Sequence, residues 1–175
     1  MNNIEDIQFT SLSEMGTMSE FNGINISGFA TVTALESQLP PLESASSLVC
    51  SYCDHASYFY RPIKREELLN VLLPYIYSKT DSPSGLTDSD PSRSHDLATL
   101  FFIFALGALL DLNLPPYNSE AERYYTLGRA ALSFKPVFES PSISTVQALG
   151  LMATYHSHAG RKYSRDSAVR HILRT

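Results

Sequence analysis

Two cysteines and a histidine stand close together in the sequence, and these are side chains that bind zinc. Cys50, Cys53 and His55 have the spacing of one half of a zinc site. A closed tetrahedral site needs four ligands, and the remaining histidines do not form a matching second half. They are His95, His156, His158 and His171. We therefore expect no metal and two reduced thiols at a domain edge. A redox pair is also disfavoured, because no strand–helix–strand pattern surrounds the cysteines.

A second histidine pair lies two residues apart in a predicted helix. His156 and His158 then point to different faces of that helix, so they cannot ligate one metal together without distortion. We place both near the C-terminal end of the helix, where the negative end of the helix dipole favours an imidazole. They are interpreted as polar residues at a helix end.

The motifs of common enzyme sites are missing from the sequence. No serine lies in a Gly-x-Ser-x-Gly segment, and no glycine-rich phosphate loop occurs. Glu66, Glu67, Glu120 and Glu122 fall at predicted helix starts, where capping and the helix dipole account for them. We predict that the chain is not an enzyme, that it has no catalytic, cofactor-binding or metal-binding residues, and that it has no small-molecule substrate.

Charge is unevenly distributed along the 175 residues, which have a formal net charge of −5. Residues 1–60 contain seven acidic residues and no lysine or arginine. The C-terminal segment 161–175 is basic. Its charged residues are Arg161, Lys162, Arg165, Asp166, Arg170 and Arg174. This basic segment is interpreted as a solvated helix face, with a nuclear-import or phosphate-binding patch as the alternative. The acidic balance argues against direct DNA binding.

The first 57 residues are rich in Ser, Thr, Asn and Gly, and we predict a mostly disordered acidic leader over 1–57. Acidic and apolar residues alternate in it, which leaves a weak activation-type interaction segment or an inert linker as its two interpretations. The apolar residues are Phe9, Leu12, Phe21, Ile24, Ile26 and Phe29. Residues 58–175 form the predicted helical domain.

Helix signals dominate that domain. One helix is predicted to begin near Ile63 and to end or kink at Pro74. Ser94 is the predicted cap of a central helix that is apolar on all sides over Leu97–Leu110, and this run is too short to span a bilayer.

Capping boxes are predicted at Ser119/Glu122 and Ser144/Gln147. Gly160 is the predicted stop of the second of these helices, and Ser164 or Asp166 is the predicted cap of a last short helix. The fold class is all-α, built from antiparallel helix pairs.

From about His55 onward the chain resembles the regulatory (middle homology) domain of fungal zinc-cluster transcription factors, especially the xylanolytic-activator-like group. Six segments in the family's order are similar, and the stretch that they span, 54–163, is roughly two thirds of the chain. We call them the family-like segments: Asp54–Ile63, Phe104–Leu109, Pro115–Asn118, Ala121–Leu132, Ser144–Leu149 and Gly160–Tyr163.

The resemblance implies an all-α domain in a nuclear regulator of RNA polymerase II transcription, with protein partners or a homodimer formed through the helices. Members of that family bind DNA and zinc through a separate six-cysteine cluster, which this chain lacks. The family's helices also continue beyond the position of Thr175. We therefore expect a truncated regulatory domain, with zinc and DNA bound only by a module outside this chain and no membrane association.

The alternative is a stand-alone helical-repeat adaptor, because the helix around Tyr124–Ala130 has the small and aromatic residues of a tetratricopeptide helix. Such repeats recur about every 34 residues, and no second copy aligns. One consequence of truncation is also expected. The apolar helix Leu97–Leu110 would lack some packing partners, so the isolated chain should aggregate or oligomerise.

Overall fold

The computed structural model describes residues 31–58, 60–80, 93–114, 118–135, 137 and 141–172, with the side chains of 79, 80 and 161–172 left aside. Every regular element in these ranges is a helix, so the predicted all-α class is confirmed. The α-helices are α1 (Val32–Glu36), α2 (Leu42–Ser51), α3 (Arg65–Glu67), α4 (Leu73–Thr80), α5 (Arg93–Leu110), α6 (Ser119–Ser133) and α7 (Ile143–Ile172). Two π-helical turns, Tyr52–Ala56 and Leu68–Leu72, follow α2 and α3 directly.

Helix α5 is the centre of the fold. All of its residues from Ser94 to Leu109 are buried except Asp96. It packs against α2, the first π-helical turn, α6 and α7. Its apolar residues therefore face protein on every side, as the sequence predicted for a central helix.

Close contact between α2 and α5 depends on Gly107. A Cβ atom at this position would overlap the carbonyl oxygen of Leu48. The Ser51 hydroxyl also donates a hydrogen bond of 2.9 Å to the carbonyl oxygen of Gly107. The absence of a side chain thus lets the two helix backbones touch.

The predicted disordered leader is wrong for residues 31–57. Helices α1 and α2 form there, and their apolar side chains are part of the core. Ala45, Leu48, Val49 and Tyr52 recur at i, i+3, i+4 and i+7, which is the period of one helix face. Serines lie between these apolar residues, and the serine-rich composition of the segment was the reason to predict disorder. Residues 1–30, with the apolar residues of the predicted activation-type segment, lie outside the described residues.

The expectation that α5 needs helices from outside the chain is also wrong. Its side chains from Leu97 to Leu109 are at most 6 % exposed within the single chain. Helix α2 and the first π-helical turn, which lie in the segment predicted to be a disordered leader, supply part of the packing around α5. Helix α5 has the length and hydropathy of a membrane-spanning helix, but 83 % of it is buried inside the protein, as in the core helix of a globular fold.

The helix after Pro62 starts close to its predicted position but does not end at Pro74. It begins at Arg65, after Ile63, and it continues through Pro74 to Thr80. Proline removes a backbone donor and crowds the preceding turn. Here the turn before it is π-helical, and the Leu73 N–H bonds to the carbonyl oxygen of Leu68, five residues back. The widened turn accommodates the proline ring without ending the helix.

Three predicted helix starts are displaced by one or two residues. Helix α5 begins at Arg93, before the predicted cap Ser94. The cap of α6 is Asn118, whose side-chain oxygen accepts from the Glu120 N–H, and not Ser119. In α7 the box is formed by Ser142 and Thr145, whose side chains each accept from the other's backbone N–H at 3.1 Å, and not by the Ser144/Gln147 pair.

Gly160 does not stop α7, which continues to Ile172 through the predicted caps Ser164 and Asp166. A glycine within a helix costs about 1 kcal/mol relative to alanine. That cost alone does not end a helix when no turn motif follows. Helix α6 buries one face against the core. Its buried residues are Ala121, Tyr124, Tyr125, Leu127, Gly128, Ala130, Ala131 and Leu132.

Candidate functional site

A buried histidine joins the N-terminal ends of α5 and α7. His95 is fully buried, and its Nδ1 atom lies 2.7 Å from the hydroxyl oxygen of Thr145. Its Nε2 atom faces the carbonyl oxygen of Lys135 at 3.5 Å. A carbonyl only accepts, so the Nε2–H donates to Lys135, and the Thr145 hydroxyl, which can donate or accept, is the partner of Nδ1.

The polar contacts extend from His95 to both helices. The side chain of Ser144 donates a hydrogen bond to the Asp96 carboxylate. The Thr99 hydroxyl lies 2.9 Å from the carbonyl oxygen of His95 and 3.2 Å from that of Ser144. Together with the Ser142/Thr145 capping box, these residues form what we call the α5–α7 polar cluster.

An imidazole beside a hydroxyl is a pair that activates nucleophiles in enzymes. Here both partners are closed to solvent, since His95 is 0 % exposed and Thr145 is 2 % exposed. A substrate could not reach the hydroxyl in this arrangement, and the cluster is explained as a connection between helices. Sequence reasoning considered His95 only as a metal ligand, because its partner lies 50 residues away and follows no motif.

The cysteines lie at the junction of α2 and the first π-helical turn, and Cys53 packs against the hydrophobic core. Cys50 and Cys53 are both free thiols and partly exposed. The Arg65 guanidinium donates to the Cys50 sulfur at 3.7 Å and to the Asp54 carboxylate at 2.8 Å. Burial raises the pKa of the Cys53 thiol above its usual value, against the opposing effect of Arg65.

His55, the third residue of the predicted half zinc site, is exposed. Among the described residues, no group of three or more His, Cys, Asp or Glu side chains has an arrangement that could hold a metal ion. The structure therefore brings Arg65 and Asp54, rather than a further ligand, to the two cysteines.

His156 and His158 lie well inside α7, because the helix continues to Ile172; their predicted place at a helix end is wrong. The Nε2 atom of His156 is 2.6 Å from the Tyr125 hydroxyl, and Nδ1 of His158 is 2.8 Å from the Thr154 carbonyl oxygen. The two imidazoles thus have different partners. The Tyr125 ring also stacks on Tyr155 with 4.4 Å between centroids, which joins α6 to α7.

The glutamate pairs lie where the sequence placed them, in the first turns of α3 and α6. Glu66, Glu67 and Glu122 are exposed, and Glu120 accepts a hydrogen bond of 3.2 Å from the Tyr124 hydroxyl. The basic residues of 161–174 fall where side chains are not described. A scan against protein-family models, a search among curated proteins and a search among solved structures each return no match.

Proposed function

We propose that this chain is a protein-interaction module of a nuclear transcription regulator, of the kind that fungal zinc-cluster transcription factors use as their regulatory domain. Its action on transcription would come from protein contacts made by the helices. DNA and zinc would be bound by a separate module, since the net charge of −5 gives this chain no basic footprint for DNA.

The observation that supports the proposal most is the position of the family-like segments in the fold. Asp54–Ile63 and Ser144–Leu149 meet each other: the Gln147 side chain donates to the Pro62 carbonyl oxygen at 3.1 Å. The Tyr60 ring covers Gly150, one residue after the second segment, and a Cβ atom there would overlap the ring.

Two further family-like segments also place a glycine where helices touch. Gly107 of Phe104–Leu109 lies against the Leu48 backbone, and Gly128 of Ala121–Leu132 lies against the ring of Phe102. Segments that are far apart in sequence thus meet in one core.

The arrangement of helices favours this proposal over the helical-repeat adaptor. In a solenoid each repeat contacts only its neighbours along the chain. Here α5 is surrounded by α2, the first π-helical turn, α6 and α7. A repeat array is organised around no such central helix.

Two exposed apolar side chains are candidates for part of the protein-interaction surface. Ile143 and Val146, in the first turn of α7, are 79 % and 63 % exposed. They are three residues apart and so lie on one face of the helix. Exposed apolar residues next to one another are typical of protein contact sites.

The test is a reporter assay in yeast with the chain fused to a heterologous DNA-binding domain. We expect nuclear localisation and a change in reporter expression relative to the DNA-binding domain alone. The double variant Ile143→Asp/Val146→Asp should lose the change in reporter expression. The control Leu112→Asp, which changes an exposed apolar residue outside α7, should keep it.

Circular dichroism of the purified variants checks that the helices are intact. Two results together would contradict the proposal. The fusion would leave reporter expression unchanged, and the chain expressed without the DNA-binding domain would stay outside the nucleus. Binding of extended peptides on an array, without any reporter effect, would favour the adaptor instead.

A further inference from the structure

Cys50 and Cys53 are near each other in the chain and could form a disulfide bond. They are three residues apart across the junction of α2 and the first π-helical turn, so they share one side of the helix. In an α-helix, Cα atoms at i and i+3 are about 5 Å apart, which is within the range of natural disulfides. The corresponding Cβ atoms are about 5–6 Å apart, so forming the bond requires the local backbone to move. Both thiols are partly exposed, so a small oxidant can reach them.

The two sulfurs have different surroundings. Arg65 reaches Cys50 from 15 residues away, with its Nη2 atom 3.7 Å from the sulfur, and Asp54 holds the same guanidinium at 2.8 Å. Reactive cysteines typically lie in partly exposed surroundings beside a cationic side chain. Cys53 packs against the hydrophobic core, and burial raises the pKa of its thiol, which favours the protonated form.

The backbone at this point is also unusual. Cys53 lies in the π-helical turn Tyr52–Ala56, and its carbonyl oxygen accepts a hydrogen bond of 2.7 Å from the Ser57 side chain. Single π-helical turns within helices are rare and occur frequently at functional positions. The sequence alone disfavoured a redox pair, because neither the π-helical turn nor the Arg65 contact can be read from it.

We propose that Cys50 and Cys53 form a peroxide-responsive dithiol. The Cys50 thiolate attacks a hydroperoxide oxygen, the O–O bond breaks, and the products are Cys50 sulfenic acid and an alkoxide or hydroxide that takes up the proton released by the Cys50 thiol. The Cys53 sulfur then attacks the Cys50 sulfur and displaces water, which forms the disulfide. The two sulfurs together lose two electrons, and the peroxide is reduced.

The test treats the reduced full-length chain with hydrogen peroxide, stops the reaction with catalase and alkylates the remaining thiols with N-ethylmaleimide. Intact mass spectrometry should show a monomer that has lost two hydrogen atoms and takes up no maleimide. A product that still takes up two maleimides, or a disulfide-linked dimer, would overturn the proposal.

Single variants identify the role of each sulfur. In Cys53→Ser we expect the reaction to stop at a sulfenic acid on Cys50, detected as a dimedone adduct. In Cys50→Ser we expect Cys53 to remain open to alkylation under the same conditions. If Cys53 reacts first, so that the dimedone adduct appears in Cys50→Ser and not in Cys53→Ser, the assigned order is wrong.

Arg65→Gln tests the electrostatic part, with Lys64→Gln as the matched exposed control next to it. We expect peroxide consumption by Cys50 to slow about twofold in Arg65→Gln, the size of an exposed ionic contact, and to be unchanged in Lys64→Gln. The difference should disappear in urea, where the Arg65 contact is lost. Equal rates in the folded wild type and in folded Arg65→Gln would remove Arg65 from the mechanism.

Discussion

At the scale of single residues, the α5–α7 polar cluster shows how both ring nitrogens of a buried histidine find partners within the protein. His95 has no access to water, so each ring nitrogen must find its partner within the protein. Thr145 serves one nitrogen and also closes the capping box with Ser142. One hydroxyl therefore joins two helices and completes the start of α7.

We expect Thr145→Val to destabilise the fold by about 1–3 kcal/mol, because the isosteric side chain leaves His95 Nδ1 and the Ser142 N–H without their partner. The urea midpoint of unfolding measures this. Thr126→Val is the control, since that hydroxyl only bonds to the Glu122 carbonyl oxygen of its own helix at an exposed position. Equal midpoint shifts for the two valine variants would show that the buried contact has no special value.

Buried tyrosines set the alkaline limit of stability. Burial, with a smaller effect of Glu120, raises the pKa of Tyr124 from 10.0 to about 12. Burial and the nearby Glu122 raise the pKa of Tyr155 to about 12 as well. The unfolded chain loses these protons at lower pH than the folded chain does. The stabilisation is complete below pH 10 and is lost as the pH rises toward 12.

The corresponding measurement is the urea midpoint at about pH 9 and about pH 11. We expect a lower midpoint at the higher pH, and a smaller decrease in Tyr124→Phe, which has no phenol proton to lose. Tyr58→Phe is the control, because Tyr58 is 90 % exposed and should leave the decrease unchanged. A wild-type midpoint that stays constant over this interval would contradict the argument.

At the scale of elements, the sequence predicted the central helix and the all-α class, because these depend on apolar patterns over many residues. Helix starts were less predictable. The true caps Asn118 and Ser142 lie one and two residues before the predicted Ser119 and Ser144. Several Ser, Thr and Asn side chains stand together at each start, and only the backbone conformation decides which one accepts the first N–H.

The candidate sites were less predictable than the helices. His95 and Thr145 are 50 residues apart, and Arg65 is 15 residues from Cys50. Contacts of this kind arise from tertiary packing, and no local pattern in the sequence encodes them. Residue type alone suggested the cysteines as a metal ligand pair and gave no reason to connect them with an arginine.

Whether α1 contributes to the stability of the fold can be tested directly, and the result shows where the folded domain begins. Leu35 is fully buried in this five-residue helix, and the adjacent Glu36 pairs with Arg93 of α5 at 2.5 Å. We expect Leu35→Ala to cost at least about 2 kcal/mol. Leu42→Ala, at a position 52 % exposed, should cost less than about 1 kcal/mol. If the two variants have the same urea midpoint, α1 does not contribute to the folded core.

At the scale of the whole molecule, the reason first given for self-association no longer holds, because α5 is covered by the chain's own helices. The apolar surface that remains is elsewhere. Ile143 and Val146 are the exposed pair on α7, and Leu112 follows α5. Self-association therefore stays a prediction, and its expected location moves from the central helix to the first turn of α7.

We expect the average mass from light scattering coupled to size-exclusion chromatography to rise above 19.4 kDa, the mass of one chain, as the protein concentration increases. Ile143→Asp/Val146→Asp should hold the mass at that of one chain. Aspartate is favourable in the first turn of a helix, so the double variant should keep α7 intact. Leu112→Asp adds an acidic group at another exposed apolar position and should still associate. If Leu112→Asp dissociates the chain equally well, added negative charge explains the effect, and α7 is not the contact surface.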